Sequence, residues 1–341
     1  MSSVRNLMLV GSLVGAIGLS GALLSNQHTA EACIHPPKEF KYPIKAGAQR
    51  GLVFFADGRE ELVIRPSYKV EGEGLKVKND AVEGFTTVAW LVPVPSLPDS
   101  YKEADEKLFT SIADFTKPFE AIGKNGPDQE DGKDSRKKEK HGAEFLEQVK
   151  VGDYTIQPVK AHGELGGQEL QGWLKSNGFG AVEESVLKHY LENDYYWLAV
   201  KLERAEGLPA NGEVKPLQIG FKTDKPVYPL KINAGAGEFE LEVWVISNKE
   251  VDDEKTKAFG LQTVAQGDPM MDQEHHKSTL SDLPEEARKI IDGEDGLKSL
   301  RTGDLYITRF FGAGMNTTTD LTKLNDDLHF TFVEPEPRKK D

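Results

Sequence analysis

The chain has 341 residues, a single cysteine, and 56 acidic against 42 basic side chains, for a formal charge of −14. A surface that acidic repels phosphate backbones and anionic lipid, which argues against nucleic acid and membrane surfaces as partners and for a solvated exterior. With Cys33 alone no internal disulfide can form, so packing must hold the fold, and the length is enough to bury a substantial core.

At the N-terminus, Arg5 precedes an apolar run from Leu7 to Leu24, and a short polar stretch leads to Ala30-Glu31-Ala32. That order of positive charge, apolar segment and small-x-small site predicts a signal peptide over 1–32, with Cys33 as the first mature residue. Two other outcomes fit the segment less well. An uncleaved anchor is disfavoured by the glycines at 11, 15, 18 and 21, and lipidation of Cys33 by Ala30, which stands where a large aliphatic residue is needed. Removing the leader leaves the charge unchanged, because Arg5 and Glu31 cancel. No later stretch is long and apolar enough to cross a bilayer. The expectation is a soluble, extracytoplasmic protein, periplasmic or secreted, with no membrane span once the leader is gone.

The mature chain opens with β-favouring runs. Leu52 to Ala56, a turn at Asp57-Gly58 and Leu62 to Tyr68 predict a hairpin, and Phe85 to Val94 predicts a buried strand ended by Pro93, Pro95 and Pro98. Ser100 and Glu103 have capping-box spacing ahead of Leu108, Ile112 and Phe115, predicting a helix there. Gly123 to Gly142 is charged and almost without apolar side chains, so it reads as a mobile loop or linker. Strands over Val149 to Val159 turn at Gly152-Asp153. A helix carrying Leu170, Trp173 and Leu174 stops at Asn177-Gly178, and a second carries Val182, Val186, Leu187, Tyr190 and Leu191. This helix-Gly-helix unit reads as a packing hairpin rather than a DNA-reading module, given export and charge. Strands are predicted over Tyr195 to Leu202, Leu217 to Phe221, Val227 to Ile232 and Phe239 to Ile246. In the last, Phe239, Leu241, Val243 and Val245 alternate with glutamates at 238, 240 and 242. Asp282 to Ile291 reads as a helix, with Pro284 in its first turn and Glu285 at capping spacing from Asp282. Leu305 to Phe311 and Leu328 to Val333 are the closing strands.

The resulting class is α+β: strand-rich, largely antiparallel sheets with a helical hairpin and a few peripheral helices. The parts are a leader over 1–32, an N-terminal strand-rich part over 33–122, the charged loop or linker over 123–142, a C-terminal α+β part over 143–335 and a polar tail over 336–341. The segments Asp57-Gly-Arg-Glu, Ala89-Trp-Leu-Val-Pro-Val-Pro, Val151-Gly-Asp-Tyr, Leu170-Gln-Gly-Trp-Leu-Lys-Ser-Asn-Gly-Phe, Tyr196-Trp-Leu-Ala-Val-Lys-Leu, Pro229-Leu-Lys-Ile and Leu305-Tyr-Ile-Thr-Arg follow one another in that order. In this the chain resembles the bacterial family called domain of unknown function 2330. The resemblance runs from about Cys33 to Phe332 and implies an exported protein without an established activity. Several cysteines near the mature N-terminus are expected in many members, and this chain has Cys33 alone, which puts in doubt any metal or disulfide role carried over to that region.

Catalytic motifs are scarce. There is no Gly-x-Ser-x-Gly and no His-Glu-x-x-His. Ser185 and Lys188 have Ser-x-x-Lys spacing without its companion motifs, and an exposed helix face explains the pair better. Gly126 to Lys133 has one residue too many for a phosphate loop, and Asp292 to Gly296 fails as an EF-hand because Ile291 would have to supply the first ligand. No cofactor is expected, and a metal ion is the one addition that two residue sets could hold. After cleavage the new amine, the Cys33 thiol and His35 would stand within three residues, donors that suit copper or zinc. The second set is Asp272, His275 and His276, with Asp268 and Glu274 nearby, although adjacent histidines diverge in most backbones. A third candidate is an interaction surface at Trp90, Pro93 and Pro95; a buried strand with a stiff turn is the other reading of those residues. The functional expectation is a non-catalytic envelope protein that binds an unidentified envelope protein or ligand. The alternative is an exported hydrolase of envelope polymers, working with scattered carboxylates or a metal.

Overall fold

The apolar run Leu52 to Ala56 and the run resuming at Leu62 fold against each other, as their spacing requires. In this computed structural model, which describes residues 34–37, 39–117, 142–264 and 276–333, strand β1 (Ile44–Ala56) pairs antiparallel with β2 (Arg59–Val70), Ala56 opposite Arg59. Two left-handed residues close the hairpin, Asp57 at φ 51° and Gly58 at φ 76°, the twist that matches paired strands.

The chain continues through β3 (Thr87–Val94), β4 (Ser100–Glu103) and helix α1 (Leu108–Phe115). Then come β5 (Gly142–Phe145), β6 (Val149–Val151), β7 (Tyr154–His162), α2 (Gly163–Ser176), α3 (Glu184–Glu192), β8 (Tyr196–Glu203), β9 (Leu217–Lys222) and β10 (Val227–Tyr228). β11 (Phe239–Ser247), α4 (Glu285–Gly293), β12 (Leu305–Met315) and β13 (Leu328–His329) follow. The larger of two main sheets has nine strands along the path β12-β11-β1-β2-β9-β4, with short segments 211–213, 262–263 and 276–278 added. Its pairings are antiparallel apart from β1 with β11. The smaller sheet has five strands, β3-β8-β7-β5 with β6 also on β7, all antiparallel. The architecture is α+β. Both sheets take strands from either side of residues 118–141: β3 lies beside β8, and β2 beside β9.

Val53, Leu62, Val243 and Val245 of the large sheet share one buried cluster with Trp90, Ile156 and Val200 of the small sheet. On the opposite face of the large sheet, Leu52, Phe54, Trp244 and Ile246 pack with Leu108 and Ile112 of α1 and Ala287 and Ile291 of α4. β11 shows the change of cover along one strand. Glu238 and Glu240 are exposed opposite buried Phe239 and Leu241, as the alternation predicts. Further on, the small sheet covers one side and helices α1 and α4 the other, so Trp244 and Ile246 are buried as completely as Val243 and Val245. The Trp244 indole donates to Thr116 Oγ1 at 2.9 Å, which satisfies its one polar atom at the end of α1.

Four local expectations give way to tertiary context. Ser100 to Glu103 form strand β4, not a helix start: they pair with β9, and α1 begins at Leu108 behind Lys107, whose N–H donates to Asp105. Only Val227–Tyr228 is strand in the run to Ile232, because Pro229 has no N–H to donate and a 3₁₀ turn follows at Lys231–Asn233. Asp282 caps backwards onto Thr279, so α4 starts at Glu285 behind Pro284. Leu328 to Val333 divides into two short pairings, with β10 and with Val251–Asp252.

Gly51 lies mid-strand in β1 where the ring of Tyr228 crosses; a Cβ there would stand 2.4 Å from Tyr228 Cε2. Gly51→Ala is therefore expected to lower the unfolding free energy by about 1–3 kcal/mol, the usual range for overpacking, read from the chemical-denaturation midpoint. An unchanged midpoint would show that the ring is not seated there.

Candidate functional site

His35 is buried, not part of an exposed terminus. Its backbone bridges to Ala89, and its imidazole packs over Gly180, where a Cβ would meet His35 Cε1 at 2.1 Å. Burial pushes its pKa down to about 4, so the ring is neutral and enclosed. Cys33, Asp272 and His275 lie outside the described residues, as do Asp268 and Glu274; the backbone of His276 opens the short strand opposite Ile307. Among the described residues, no group of three or more His, Cys, Asp or Glu side chains is arranged to hold a metal ion. Trp90 is 3 % exposed and stands edge-on to Tyr154 at 5.8 Å, Pro93 is buried beside it in β3, and Pro95 is half-buried. Both faces of β3 are covered, so Trp90 and Pro93 are core and offer no surface to a partner. Ser185 hydrogen-bonds to the Glu183 carboxylate and Lys188 lies 3.7 Å from Glu192, so the two have separate partners.

Titratable groups missed by the sequence reading converge where α3 meets β10 and β13. Asp327 is 1 % exposed; its Oδ1 accepts from the Tyr190 hydroxyl at 2.8 Å and the Lys231 N–H at 2.9 Å. Burial drives its pKa up to about 7, against the opposing pull of those two bonds. Next to it, Asp326 Oδ1 lies 3.5 Å from His189 Nε2 and 3.4 Å from His329 Nε2. Burial pushes His189 down to about 4, more than the neighbouring Asp326 pulls it up, so the first contact is dipolar at neutral pH and not an ion pair. Asp326 itself stays below the usual carboxylate range: burial raises it, but the His329 hydrogen bond and charge, with the Asp327 N–H, outweigh that. Perturbed groups of this kind mark functional candidates. This set, however, is closed in on itself.

The other concave feature opens on the small sheet. Along β8 the side chains on one face run Trp197, Ala199, Lys201, Glu203, and opposite them on β7 run Val159, Gln157 and Thr155. The apolar end lies under the helical hairpin, where Trp197 meets Tyr190 at 5.2 Å. The polar end is left as a recess of about 270 Å³ whose wall includes Trp173, Asn177 and Phe179 from the end of α2. Trp173 has Phe145 at 5.2 Å and Phe179 at 5.9 Å, and Lys201 Nζ stands 5.4 Å from the Phe179 ring. The signal for this site was in the sequence, as a switch from apolar to polar residues on one face of two neighbouring strands.

A sequence model described as an uncharacterised protein conserved in bacteria (DUF2330) matches residues 72–307, more than half of the chain. The chain belongs to this family. No curated protein matches this DUF2330 member. Among solved structures, baculovirus P35 is 11 % identical with a TM-score of 0.37 over 89 % of this chain and 100 % of that one. P35 in the caspase-8/P35 complex is 10 % identical with a TM-score of 0.37 over 85 % and 96 %. Similarity that low carries no argument about fold or function here. Among the described residues, no helix is long and apolar enough to cross a membrane.

Asp327 gives a pH prediction. Its pKa rises from 3.8 to about 7 on folding, so its contribution is complete below the unfolded value and is lost as pH climbs through the folded one. His189 has the opposite sign: its contribution is present above 6.5 and is lost as pH falls towards 4. Asp327→Asn keeps an acceptor for Tyr190 and Lys231 and removes the titration. Between the two Asp327 values the wild type is expected to lose stability relative to the variant on the order of 1 kcal/mol per pH unit, measured by urea unfolding. Parallel curves for the two proteins would refute the assignment.

Proposed function

We propose that this chain is an extracytoplasmic, non-catalytic ligand-binding protein of the cell envelope, and that the recess beside the C-terminal end of α2 is where it binds. The observation that carries the reading is the row Thr155, Gln157, Lys201 and Glu203, hydrogen-bonding side chains presented on a rigid sheet next to an aromatic wall. Concave surfaces with a few convergent polar groups are the usual form of small-molecule sites, and a sheet holds such groups in fixed relative positions. The leader-like segment up to Ala32 supports the location.

Thr155→Tyr, a β-compatible change on a half-buried strand position, should fill the recess. The wild-type protein, incubated with low-mass compounds released from the envelope and then washed, is expected to retain at least one compound by mass spectrometry. Retention should fall at least about tenfold in the variant, a change of roughly 1.4 kcal/mol. Equal retention by both proteins, or none by either, rejects the site. Protein recovered from cells with the Leu7 to Leu24 run still attached and the rest of the chain facing the cytosol would reject the location.

A further inference from the structure

The recess has a composition that selects among ligand classes. Lys201 and Glu203, two residues apart on one strand face, form no ion pair with each other or with another described residue, so the site carries both charges with no net excess. The amides are half engaged. Gln157 Nε2 donates to the backbone carbonyls of Leu146 and Pro158, and Asn177 Nδ2 donates to that of Trp173, which leaves the Gln157 and Asn177 oxygens as fixed acceptors. With the Glu203 carboxylate, the Gln148 carbonyl and the Thr155 hydroxyl, acceptor lone pairs outnumber the donor hydrogens, which come from Lys201, the Trp173 indole N–H, the Gln148 amide, the second Asn177 Nδ2 hydrogen and the same hydroxyl. A carboxylate or phosphate ligand would meet one cation and a row of acceptors; a ligand rich in hydroxyl donors would meet partners throughout.

We infer that the recess takes a neutral pyranose sugar, a deepening that rests on the binding reading above. Hydroxyls donate to Glu203, Gln157 and Asn177 and accept from Lys201, while the C–H side of the ring packs on the Trp173 and Phe179 wall. The volume of about 270 Å³ suits one ring. Acceptors already oriented by their own backbone bonds lower the ordering cost of binding.

The test uses glucose, galactose, mannose and N-acetylglucosamine as probes, with alanine, phenylalanine and inorganic phosphate as the other classes, by saturation-transfer NMR and tryptophan fluorescence. Trp90, Trp197 and Trp244 are at most 3 % exposed, so a ligand-induced fluorescence change reports chiefly on half-buried Trp173. At least one sugar is expected to bind with a dissociation constant on the order of 1 mM, typical of a ligand of that size. Glu203→Ala should weaken it at least about tenfold, and Thr155→Tyr should abolish it; thermal melts confirm that each variant is folded, and either variant suffices. Sugar binding unchanged in both variants overturns the inference. Binding of an amino acid or phosphate, but no sugar, overturns the sugar class and leaves the recess as a binding site. If no probe binds, the sugar inference falls, and the envelope-retention result decides separately whether the recess reading falls too.

Discussion

Two adjacent carboxyl groups with no access to water set the terms on which the large sheet is built. Glu60 and Glu61 are both 0 % exposed, and because strand neighbours point to opposite faces, both faces of β2 must be covered at that point. A buried carboxylate is costly unless it is paired, hydrogen-bonded or neutral, and the two glutamates use different solutions. Glu61 accepts from Arg59 Nε at 2.9 Å and Gln218 Nε2 at 2.8 Å. Burial raises its pKa and nearby Glu294 adds to that, against Gln218 and Arg59. Glu60 accepts from the Val227 N–H at 2.9 Å, and burial pushes its pKa well above the usual range, towards the neutral form.

These bonds join distant parts of the chain. Gln218 spans Glu61 and Glu294, at 2.8 and 3.2 Å, and so ties β9 to the residue just past α4, where Lys102 of β4 also binds. On the other face Glu60 anchors Val227, the first residue of β10, which pairs with His329 of β13. β13 follows directly on Asp327, and Asp327 receives the Tyr190 hydroxyl from α3. α2 is fixed in turn to the segment before α3, since the Gln171 amide both donates to and accepts from the Val182 backbone. The enclosed acids are thus best understood as fixtures, and the place they hold steady is the helical hairpin that walls the recess.

Much of this was legible in residue order, and the failures have common causes. The Asp57-Gly58 hairpin, the Gly152-Asp153 turn, the two helices around Asn177-Gly178 and the alternation of β11 depend on local chemistry and appear where the sequence puts them. Ser100 and Glu103 misled because capping side chains serve other partners as readily: Ser100 accepts from Arg59 Nη2 at 3.3 Å and Glu103 from the Asp153 N–H at 3.1 Å, contacts between residues 41 and 50 positions apart. Trp90 beside prolines resembled a surface because cover on both faces of a strand comes from elements far along the chain. The Asp327 centre was invisible for the same reason, since Tyr190, Lys231 and Asp327 share no spacing.

The recess, by contrast, follows from one local event. α2 stops at Asn177 because Gly178, at φ 84°, takes the left-handed conformation, and the Phe179 N–H turns back to the Leu174 carbonyl at 3.0 Å. Up to that stop the hairpin covers the outer face of the small sheet, and the residues beneath it, Val159, Ala161 and Trp197, are fully buried. Past it the same two strands carry Thr155, Gln157, Lys201 and Glu203, which no helix covers. The polar change in the strands and the helix stop coincide, which is what a recess kept open to water requires: side chains of this kind under a further helical turn would have to be buried and paired. Helix end and strand composition therefore describe one feature, an opening at the margin of an otherwise covered sheet.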